Sequence, residues 1–291
     1  MTNSDLLHRF LFDECDMRGE IVSLEQSYQN VLEHNIYPEM VQRLLGEFLT
    51  AASLLSSTLK FDGIITLQAK GVGPVSLIMA ECTHHNALRG IVRLSETVAF
   101  PEDAADLPEL IGQGILTITV EPAKGERYQG VVPLDANTLA ECLEHYFYQS
   151  EQLKTRIWLQ ADAKKTGGIL LQALPTQIVE NEEVNEEQWH TATTLADTVK
   201  REELLDVEHN ELLYRLFHEF KVRVFSPSAI RFECSCSRKR SVAALKSLGR
   251  DDVEQLLIEQ GTIAIDCQFC NQVYRFDASD VRGMFGQDTL H

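Results

Sequence analysis

Two close pairs of cysteines limit how this 291-residue chain can fold more than any other feature of the sequence. The motif CSC at 234–236 is followed, after thirty residues, by the motif CQFC at 267–270. Residues two apart in an extended segment face the same side, so both cysteines of the first motif can contact one ion. Four thiolates in two such pairs are the ligand set of a closed tetrahedral zinc site. The spacing predicts one Zn²⁺ per chain, held by Cys234, Cys236, Cys267 and Cys270.

The first motif is unusual because a single residue separates its two cysteines. Extended backbone places their Cα atoms near the upper end of the range, about 4.4–6.8 Å, that a disulfide accepts. A strained disulfide is easily reduced, which a reversible switch requires. Zinc holds sulfur as thiolate, the form that peroxide attacks. We therefore interpret the four cysteines as a redox switch, with a purely structural zinc site as the alternative.

The size of the cysteine-containing tail makes the ion important for its stability. A unit of about sixty residues rarely has a sufficient core, whereas structural zinc supplies an apparent folding free energy of about 10–16 kcal/mol. Disulfides that close short loops remove little entropy from the unfolded chain and cannot replace that contribution. Oxidation is therefore expected to unfold the tail.

Residues 1–179 are expected to form an α+β domain, a mixed α/β arrangement with an antiparallel sheet. Apolar residues at helical spacing predict a helix over Pro38–Leu59, and Asn137 is the predicted cap of a second helix over Thr138–Leu153. Short apolar runs between glycine-containing turns predict antiparallel strands. These runs are Gly63–Ala69, Val75–Ala80, Gly90–Leu94, Ile115–Val120, Tyr128–Leu134, Arg156–Ala161 and Gly168–Leu174.

Residues 180–231 are expected to form a helical acidic linker of low stability. Residues 180–211 contain eleven Asp or Glu and two Lys or Arg, a net charge of −9, which is half of the −18 of the whole chain. Apolar residues recur among these charges and predict helices that dock on a partner surface and repel each other when undocked. Residues 232–291 are the predicted small C-terminal zinc-binding domain, with the second cysteine pair between β-like runs at Thr262–Ile265 and Gln272–Phe276.

Composition excludes several classes of partner. The net charge of −18 opposes binding to nucleic acid or to an anionic membrane, because both need a cationic face. The first twenty residues predict no signal peptide, and seven cysteines in such a chain indicate a reducing compartment, so we expect a cytoplasmic protein. The glycine-rich segment 71–74 lacks the Lys-Ser/Thr of a phosphate loop and is therefore predicted to be a turn.

Two other functions remain as alternatives. One is a thiol–disulfide oxidoreductase using Cys267 and Cys270, although no strand-then-helix pattern surrounds that pair. The other is a zinc-ribbon protein that binds nucleic acid, favoured by the basic cluster Arg238–Arg240 and opposed by the acidic whole. Those cations, with Arg275, are also predicted to offset the charge of the four thiolates.

The three cysteines outside the two motifs are expected to play no part in the metal site. In the run CTHH at 82–85, Cys82 is predicted to lie at the end of a strand, and the two histidines are predicted to lie at the surface. Cys142 fits the buried side of a helix. The role of Cys15 is left open.

With these residues in view, the chain resembles the redox-regulated 33 kDa chaperonin family along nearly its full length. Both cysteine motifs match the pattern of that family, including the spacing between them. Further resemblance lies in FECSCSRKR at 232–240, DCQFCNQVYRF at 266–276, LPELIGQGILTITVEP at 107–122, GERYQGVVPL at 125–134 and YFYQSEQLKTRIWLQ at 146–160.

The resemblance implies a non-enzymatic, ATP-independent holdase that binds unfolding client proteins. It implies that the reduced, zinc-bound form is idle, and that peroxide or hypochlorite together with heat activates it. The implied disulfides are Cys234–Cys236 and Cys267–Cys270, formed with loss of zinc. The active form is implied to be a homodimer.

Overall fold

The computed structural model describes residues 4–59, 62–101, 106–175, 178–179 and 181–285. The chain divides into two compact units, Met1–Glu233 and Cys234–His291. Two parts of the predicted domain division lie outside the described residues. They are residue 180, where the acidic linker was predicted to begin, and residues 286–291, the end of the predicted C-terminal domain.

Two sheets form the frame of the first unit. Its strands are β1 (Leu6–Phe12), β2 (Met17–Leu24), β3 (Gly63–Gly71), β4 (Val75–Thr83), β5 (Ala87–Leu94), β6 (Gly114–Pro122), β7 (Tyr128–Pro133), β8 (Thr155–Ala161), β9 (Thr166–Ala173), β10 (Val222–Val224), β11 (Ser228–Ala229) and β12 (Arg231–Phe232). The first sheet has the order β10-β1-β2-β9-β8, with β11 also beside β1, and the second has the order β12-β5-β4-β3-β6-β7. Strands β12 and β5 are parallel, and the other described pairs are antiparallel.

The helices of the first unit accompany these sheets in the α+β arrangement that was predicted. They are α1 (Gln26–Leu32), α2 (Glu39–Ser57), α3 (Leu107–Ile111), α4 (Leu139–Tyr146), α5 (Glu182–Ala196), α6 (Arg201–Asp206) and α7 (His209–Phe217). In the part of the chain that the structure describes, no helix is long and apolar enough to cross a membrane.

Helix α2 is the centre of the larger hydrophobic core and contacts strands of both sheets. Buried residues occur on all sides of it, as expected for a helix enclosed by other elements. Glycines allow the strands to approach it closely. A Cβ atom at Gly90 of β5 would lie 2.9 Å from Leu49, and one at Gly168 of β9 would lie 2.8 Å from Thr50. Helix α2 confirms the helix predicted over Pro38–Leu59, and Pro38 is its N-cap.

The second predicted helix is wrong at both ends. Thr138, not Asn137, is the N-cap of α4, and its hydroxyl accepts a hydrogen bond from the Glu141 N–H at 3.2 Å. The side chain of Glu141 in turn accepts from the N–H of Thr138, which completes a capping box. The α-helix ends at Tyr146 and continues only as a π-helical turn, Phe147–Glu151.

The seven predicted strand runs are confirmed as β3 to β9, most of them longer than predicted. Strands β1 and β2 were not predicted. Residues on both faces of β2 are buried, and β1 is exposed mainly at Arg9, so neither strand has the clean polar alternation that identifies a strand with one wet face.

The acidic helices α5, α6 and α7 cover one face of the first sheet. A second hydrophobic cluster joins them to strands β1, β2 and β9. Its buried members on the strands are Phe10, Phe12, Met17, Ile21, Ile169 and Leu171. Its buried members on the helices are Ala192, Ala196, Leu204, Leu212, Leu213, Leu216 and Phe217. The acidic helices therefore pack on the first sheet of their own unit.

Ion pairs add to this packing, because the basic side chains at this surface meet the acidic helices. Lys154 pairs with Glu186. The Arg156 guanidinium lies 2.9 Å from Asp197, and Lys165 Nζ lies 3.0 Å from Asp206. These exposed pairs are each worth at most about 1 kcal/mol, so the apolar contacts dominate the docking free energy.

A buried pair of histidines also joins the acidic segment to the sheet. His209 Nδ1 of α7 lies 2.9 Å from His8 Nδ1 of β1, and His209 Nε2 lies 2.7 Å from Ser23 Oγ of β2. Burial, followed by the nearby His8, lowers the pKa of His209 to about 3. Burial also lowers the pKa of His8, an effect that Glu208 opposes. Both rings are therefore neutral in the docked structure at neutral pH.

Acidification is expected to weaken this docking. Since the folded pKa of His209 lies below the ordinary 6.5, its contribution to stability is present above about pH 6.5 and is lost as the pH falls toward 3. At pH 5 the loss from this one ring is about 2 kcal/mol. Urea unfolding of the full chain at pH 7.5 and 5.0 should show a smaller pH dependence for His209→Gln than for the unchanged protein.

The unchanged protein alone cannot report on His209, because other titratable groups stabilise the folded state as the pH falls. Burial raises the pKa of Glu20 to about 7, so this carboxyl group favours the folded state as the pH falls. The exposed His190 of α5 provides a matched control, since His190→Gln should leave the pH dependence unchanged. A pH dependence that is the same for all three proteins would contradict the role given to His209.

The second unit is small. It contains α8 (Arg238–Leu248), α9 (Arg250–Gln260), α10 (Ala278–Phe285) and a hairpin of β13 (Ile263–Asp266) and β14 (Val273–Phe276). Its described core has six buried apolar side chains, namely Leu245, Val253, Ile263, Phe276, Val281 and Met284. This is little apolar burial for an independent unit, which agrees with the expectation that it depends on another source of stability.

Candidate metal centre

The second cysteine pair lies in the turn of the β13–β14 hairpin, between the two runs predicted to be strands. The Cys267 N–H donates to the carbonyl of Gln272 at 2.9 Å, and the Asn271 N–H donates to the carbonyl of Cys267 at 2.7 Å. Asn271 has a φ of 53°, a left-handed conformation that asparagine tolerates better than most residues. These bonds fix a tight turn that directs both sulfur atoms to one side.

The first cysteine pair lies in a segment without regular secondary structure, directly before α8. Ser237 caps that helix, and its hydroxyl accepts a hydrogen bond from the Arg240 N–H at 3.3 Å. The Arg240 guanidinium also donates to the carbonyl of Ser235, between the two cysteines. The cap and this arginine together fix the conformation of the segment that carries the first pair.

The fold brings all four predicted ligands together. Cys234 Sγ lies 3.6 Å from Cys267 Sγ, Cys236 Sγ lies 3.5 Å from Cys270 Sγ, and the four sulfur atoms all lie within 4.8 Å of one another. A tetrahedral zinc with bonds of about 2.3 Å to sulfur places its ligands about 3.8 Å apart. The four sulfur atoms therefore fit a zinc ion in separation and in chemistry. It is the one such group of His, Cys, Asp or Glu side chains found among the described residues.

The electrostatics of the cluster also favour a cation. All seven cysteines are free thiols, and the four sulfur atoms of the cluster are only partly exposed. Burial, together with the neighbouring cysteines, raises the pKa of Cys270 far above its ordinary value. Four thiolates at these separations would repel each other, so a bound dication is needed to stabilise the deprotonated set.

The cations near the cluster serve different purposes. Arg238 pairs with Asp280 at 2.7 Å, and its guanidinium lies 4.4 Å from the centre of the Phe276 ring. Arg238 therefore supports the packing of the second unit, in addition to the charge role predicted for it. Arg240 is the cation that is bonded to the ligand segment itself.

The remaining cysteines lie in the core of the first unit. Cys15, Cys82 and Cys142 are 4%, 0% and 1% exposed. Burial raises the pKa values of Cys15 and Cys82 to about 11 and also raises that of Cys142, so these thiols stay protonated and poorly reactive at neutral pH. The predictions of a strand-end Cys82 and a core Cys142 are confirmed.

The position of Cys267 and Cys270 in a hairpin turn weighs against the oxidoreductase alternative. Redox-active CxxC motifs of the thioredoxin type have thiolates whose pKa is lowered at a helix N-terminus. Here the pKa of Cys270 is raised instead, and the turn leads into strand β14.

One contact of the cluster was not predicted from the sequence. The hydroxyl of Tyr274, on β14, lies 3.2 Å from Cys236 Sγ. No spacing rule connects the two residues, because they are 38 positions apart and meet only through the pairing of the hairpin with the first cysteine segment.

Comparison with known proteins agrees with this geometry. The family model described as Hsp33 protein matches residues 5–277, which is nearly the whole chain and includes all four cysteines. The chain belongs to the Hsp33 family. A 33 kDa chaperonin of Pseudomonas paraeruginosa is 52% identical over 286 residues, covering 98% of this chain and 96% of that protein. A 33 kDa chaperonin of Azotobacter vinelandii is 50% identical over 287 residues, with the same coverage of both chains.

The fold of the Hsp33 family is also found in a solved structure. The crystal structure of a 33 kDa chaperonin from Thermotoga maritima superposes with a TM-score of 0.82, covers 96% of this chain and 97% of its own, and is 23% identical. Membership of the Hsp33 family supports a chaperone function, which implies binding of client proteins. The four-cysteine cluster is consistent with zinc binding in this family.

Proposed function

We propose that this protein is a redox-regulated, ATP-independent holdase that binds unfolding proteins in the cytoplasm under oxidative and heat stress. The observation that carries the proposal is the cluster of four free sulfur atoms in a unit with a very small core. A bound zinc ion would hold the four sulfurs as thiolates and stabilise the fold of this unit. The ligands assigned to it are Cys234, Cys236, Cys267 and Cys270.

In the proposed mechanism, oxidation removes the ligand set. Formation of the Cys234–Cys236 and Cys267–Cys270 disulfides uses the electron pairs that would bind the ion. Each pair lies within one short segment, so the two disulfides would no longer tie the segments 234–236 and 267–270 to each other. With a core of six buried apolar side chains, the second unit is then expected to unfold.

The client-binding surface is proposed to be the apolar face that α5, α6 and α7 cover. This face presents the aromatic rings of Phe10 and Phe12, with Ile21, Ile169 and Leu171 beside them. The covering helices carry most of the acidic charge of residues 180–211, whose mutual repulsion favours their release. Residues 180–231 are thus proposed to act as a linker that changes between docked and undocked states, and the undocked form to act as a homodimer.

The proposal predicts that oxidant converts the protein from an idle to an active form. Zinc-loaded, reduced protein treated with peroxide at elevated temperature should release its metal and suppress the aggregation of a thermally unfolding client, measured by light scattering. Reduced protein at the same temperature is the control and should not suppress aggregation. Release of zinc with no change in client aggregation would contradict the holdase proposal.

A further inference from the structure

Tyr274 contacts the cysteine cluster through its hydroxyl group. It lies on β14, paired with Ile265 of β13, and its side chain is half-buried. Its hydroxyl oxygen is 3.2 Å from Cys236 Sγ, a normal separation for a hydrogen bond to sulfur. The ring is anchored by the strand pairing that also forms the turn of Cys267 and Cys270.

The direction of this hydrogen bond follows from the state of the sulfur. A ligating cysteine is a thiolate, which has no hydrogen to donate, so the phenol donates and Cys236 accepts. A phenol ordinarily loses its proton only near pH 10, so the Tyr274 hydroxyl carries its hydrogen at neutral pH. The donor is therefore present throughout the range in which the reduced protein would meet an oxidant.

A hydrogen bond to a thiolate changes its reactivity. Oxidation by peroxide requires a sulfur lone pair to attack an oxygen of H₂O₂, breaking the O–O bond to give a sulfenic acid and hydroxide. A second thiolate then attacks that sulfur and displaces a second hydroxide, so two thiolates and one peroxide give one disulfide and two hydroxides. A donor on the lone pair lowers its nucleophilicity and stabilises the thiolate before attack.

We propose that the Tyr274 hydroxyl is a positioning residue that restrains the attack of Cys236 on peroxide and thereby sets the oxidant threshold of the switch. This inference rests on the proposed function, because it assumes that Cys236 is a zinc-bound thiolate that oxidation releases. It goes beyond that function by assigning part of its regulation to a residue that is not a ligand.

The test uses full-length, reduced, zinc-loaded protein carrying Tyr274→Phe, which keeps the ring and removes only the hydroxyl. Zinc release under excess peroxide is followed with a chromogenic chelator, and the modification of Cys236 is followed by alkylation and mass spectrometry. Both rates are expected to rise about tenfold, the lower end of what one hydrogen bond to a charged group contributes. The exposed Tyr148, changed to phenylalanine, is the matched control and should leave both rates unchanged.

Tyr274 could slow the oxidation of Cys236, or it could only strengthen zinc binding. Zinc affinity, measured by competition with a chelator in the absence of oxidant, distinguishes these two roles. A Tyr274→Phe protein that binds zinc more weakly but is oxidised at the unchanged rate when loaded would overturn the inference, as would unchanged rates and affinity. In both cases the proposed function stands if the unchanged protein releases zinc with peroxide. Failure of the unchanged protein to bind or release zinc overturns both.

Discussion

Replacement of Cys267 by serine is expected to abolish stoichiometric zinc binding and to unfold the second unit while the two sheets of the first unit stay folded. A serine hydroxyl stays protonated at neutral pH and cannot supply the fourth thiolate. Since structural zinc contributes an apparent folding free energy of about 10–16 kcal/mol, the six-residue core cannot compensate for its loss. Metal analysis of the reduced protein should find no bound zinc, and amide hydrogen exchange should show β13 and β14 unprotected.

The matched control for this prediction is Cys142→Ser, which makes the same chemical change in the core of the first unit. Cys142 is 1% exposed on α4 and belongs to the large hydrophobic cluster. Its replacement should leave the zinc content and the hydrogen exchange of β13 and β14 as they are. Equal effects of the two replacements, or reduced unchanged protein without stoichiometric metal, would contradict the assignment of the metal centre.

The clustering of the four cysteines was predictable because the residue types and the spacing that a metal site requires are visible in the sequence. A thiolate pair separated by one or two residues can face one ion whatever the surrounding fold, so CSC and CQFC were enough to predict that four sulfur atoms meet at one place. The two strands around the second pair were also predictable from local sequence, because a β-like run lies on each side of it. The contact of Tyr274 with Cys236 could not be predicted, because it depends on how the hairpin meets the first segment.

The strands of the first unit were predictable where the sequence shows alternation or glycines that mark a turn. Strand β3 alternates between buried and partly exposed residues, and β9, although buried along nearly its whole length, has two glycines near its start. Strands β1 and β2, which are mostly buried and lack a clean alternation, were not predicted. The cap of α4 illustrates a local error, since the pattern Thr138-x-x-Glu141 forms a capping box that outcompetes the neighbouring Asn137.

The charge of residues 180–211 identified an unusual segment but not its docking surface. The surface combines residues of β2 and β9 with the aromatic residues of β1, which lie nearly two hundred residues before α7 in the chain. The histidine pair shows the same difficulty, because His8 and His209 are 201 positions apart and neither has a local signal of its partner. Non-local contacts of this kind are determined by the topology of the sheet.

Replacement of Phe217 by alanine is expected to produce a chaperone that is active while reduced and zinc-loaded. Phe217 is 1% exposed near the end of α7, and its ring packs against Phe10 at 6.1 Å and against Phe12 at 5.2 Å between centroids. Removing a buried phenylalanine ring costs about 3–5 kcal/mol. That loss exceeds the contribution of the surface ion pairs and should release α7 from the face of β1. Suppression of client aggregation without oxidant, at full zinc content, is the expected result.

The same helix offers the matched control, since Tyr214 is 72% exposed three residues before Phe217. Tyr214→Ala removes an aromatic ring of similar size from the solvent side and should leave the reduced protein idle. Limited proteolysis reports the docking directly, because cleavage within residues 201–217 should accelerate for Phe217→Ala and not for Tyr214→Ala. If Phe217→Ala becomes sensitive to protease but clients aggregate as fast in its presence as in its absence, the face beneath α7 is not the client-binding surface. The metal centre would then have to control a different surface.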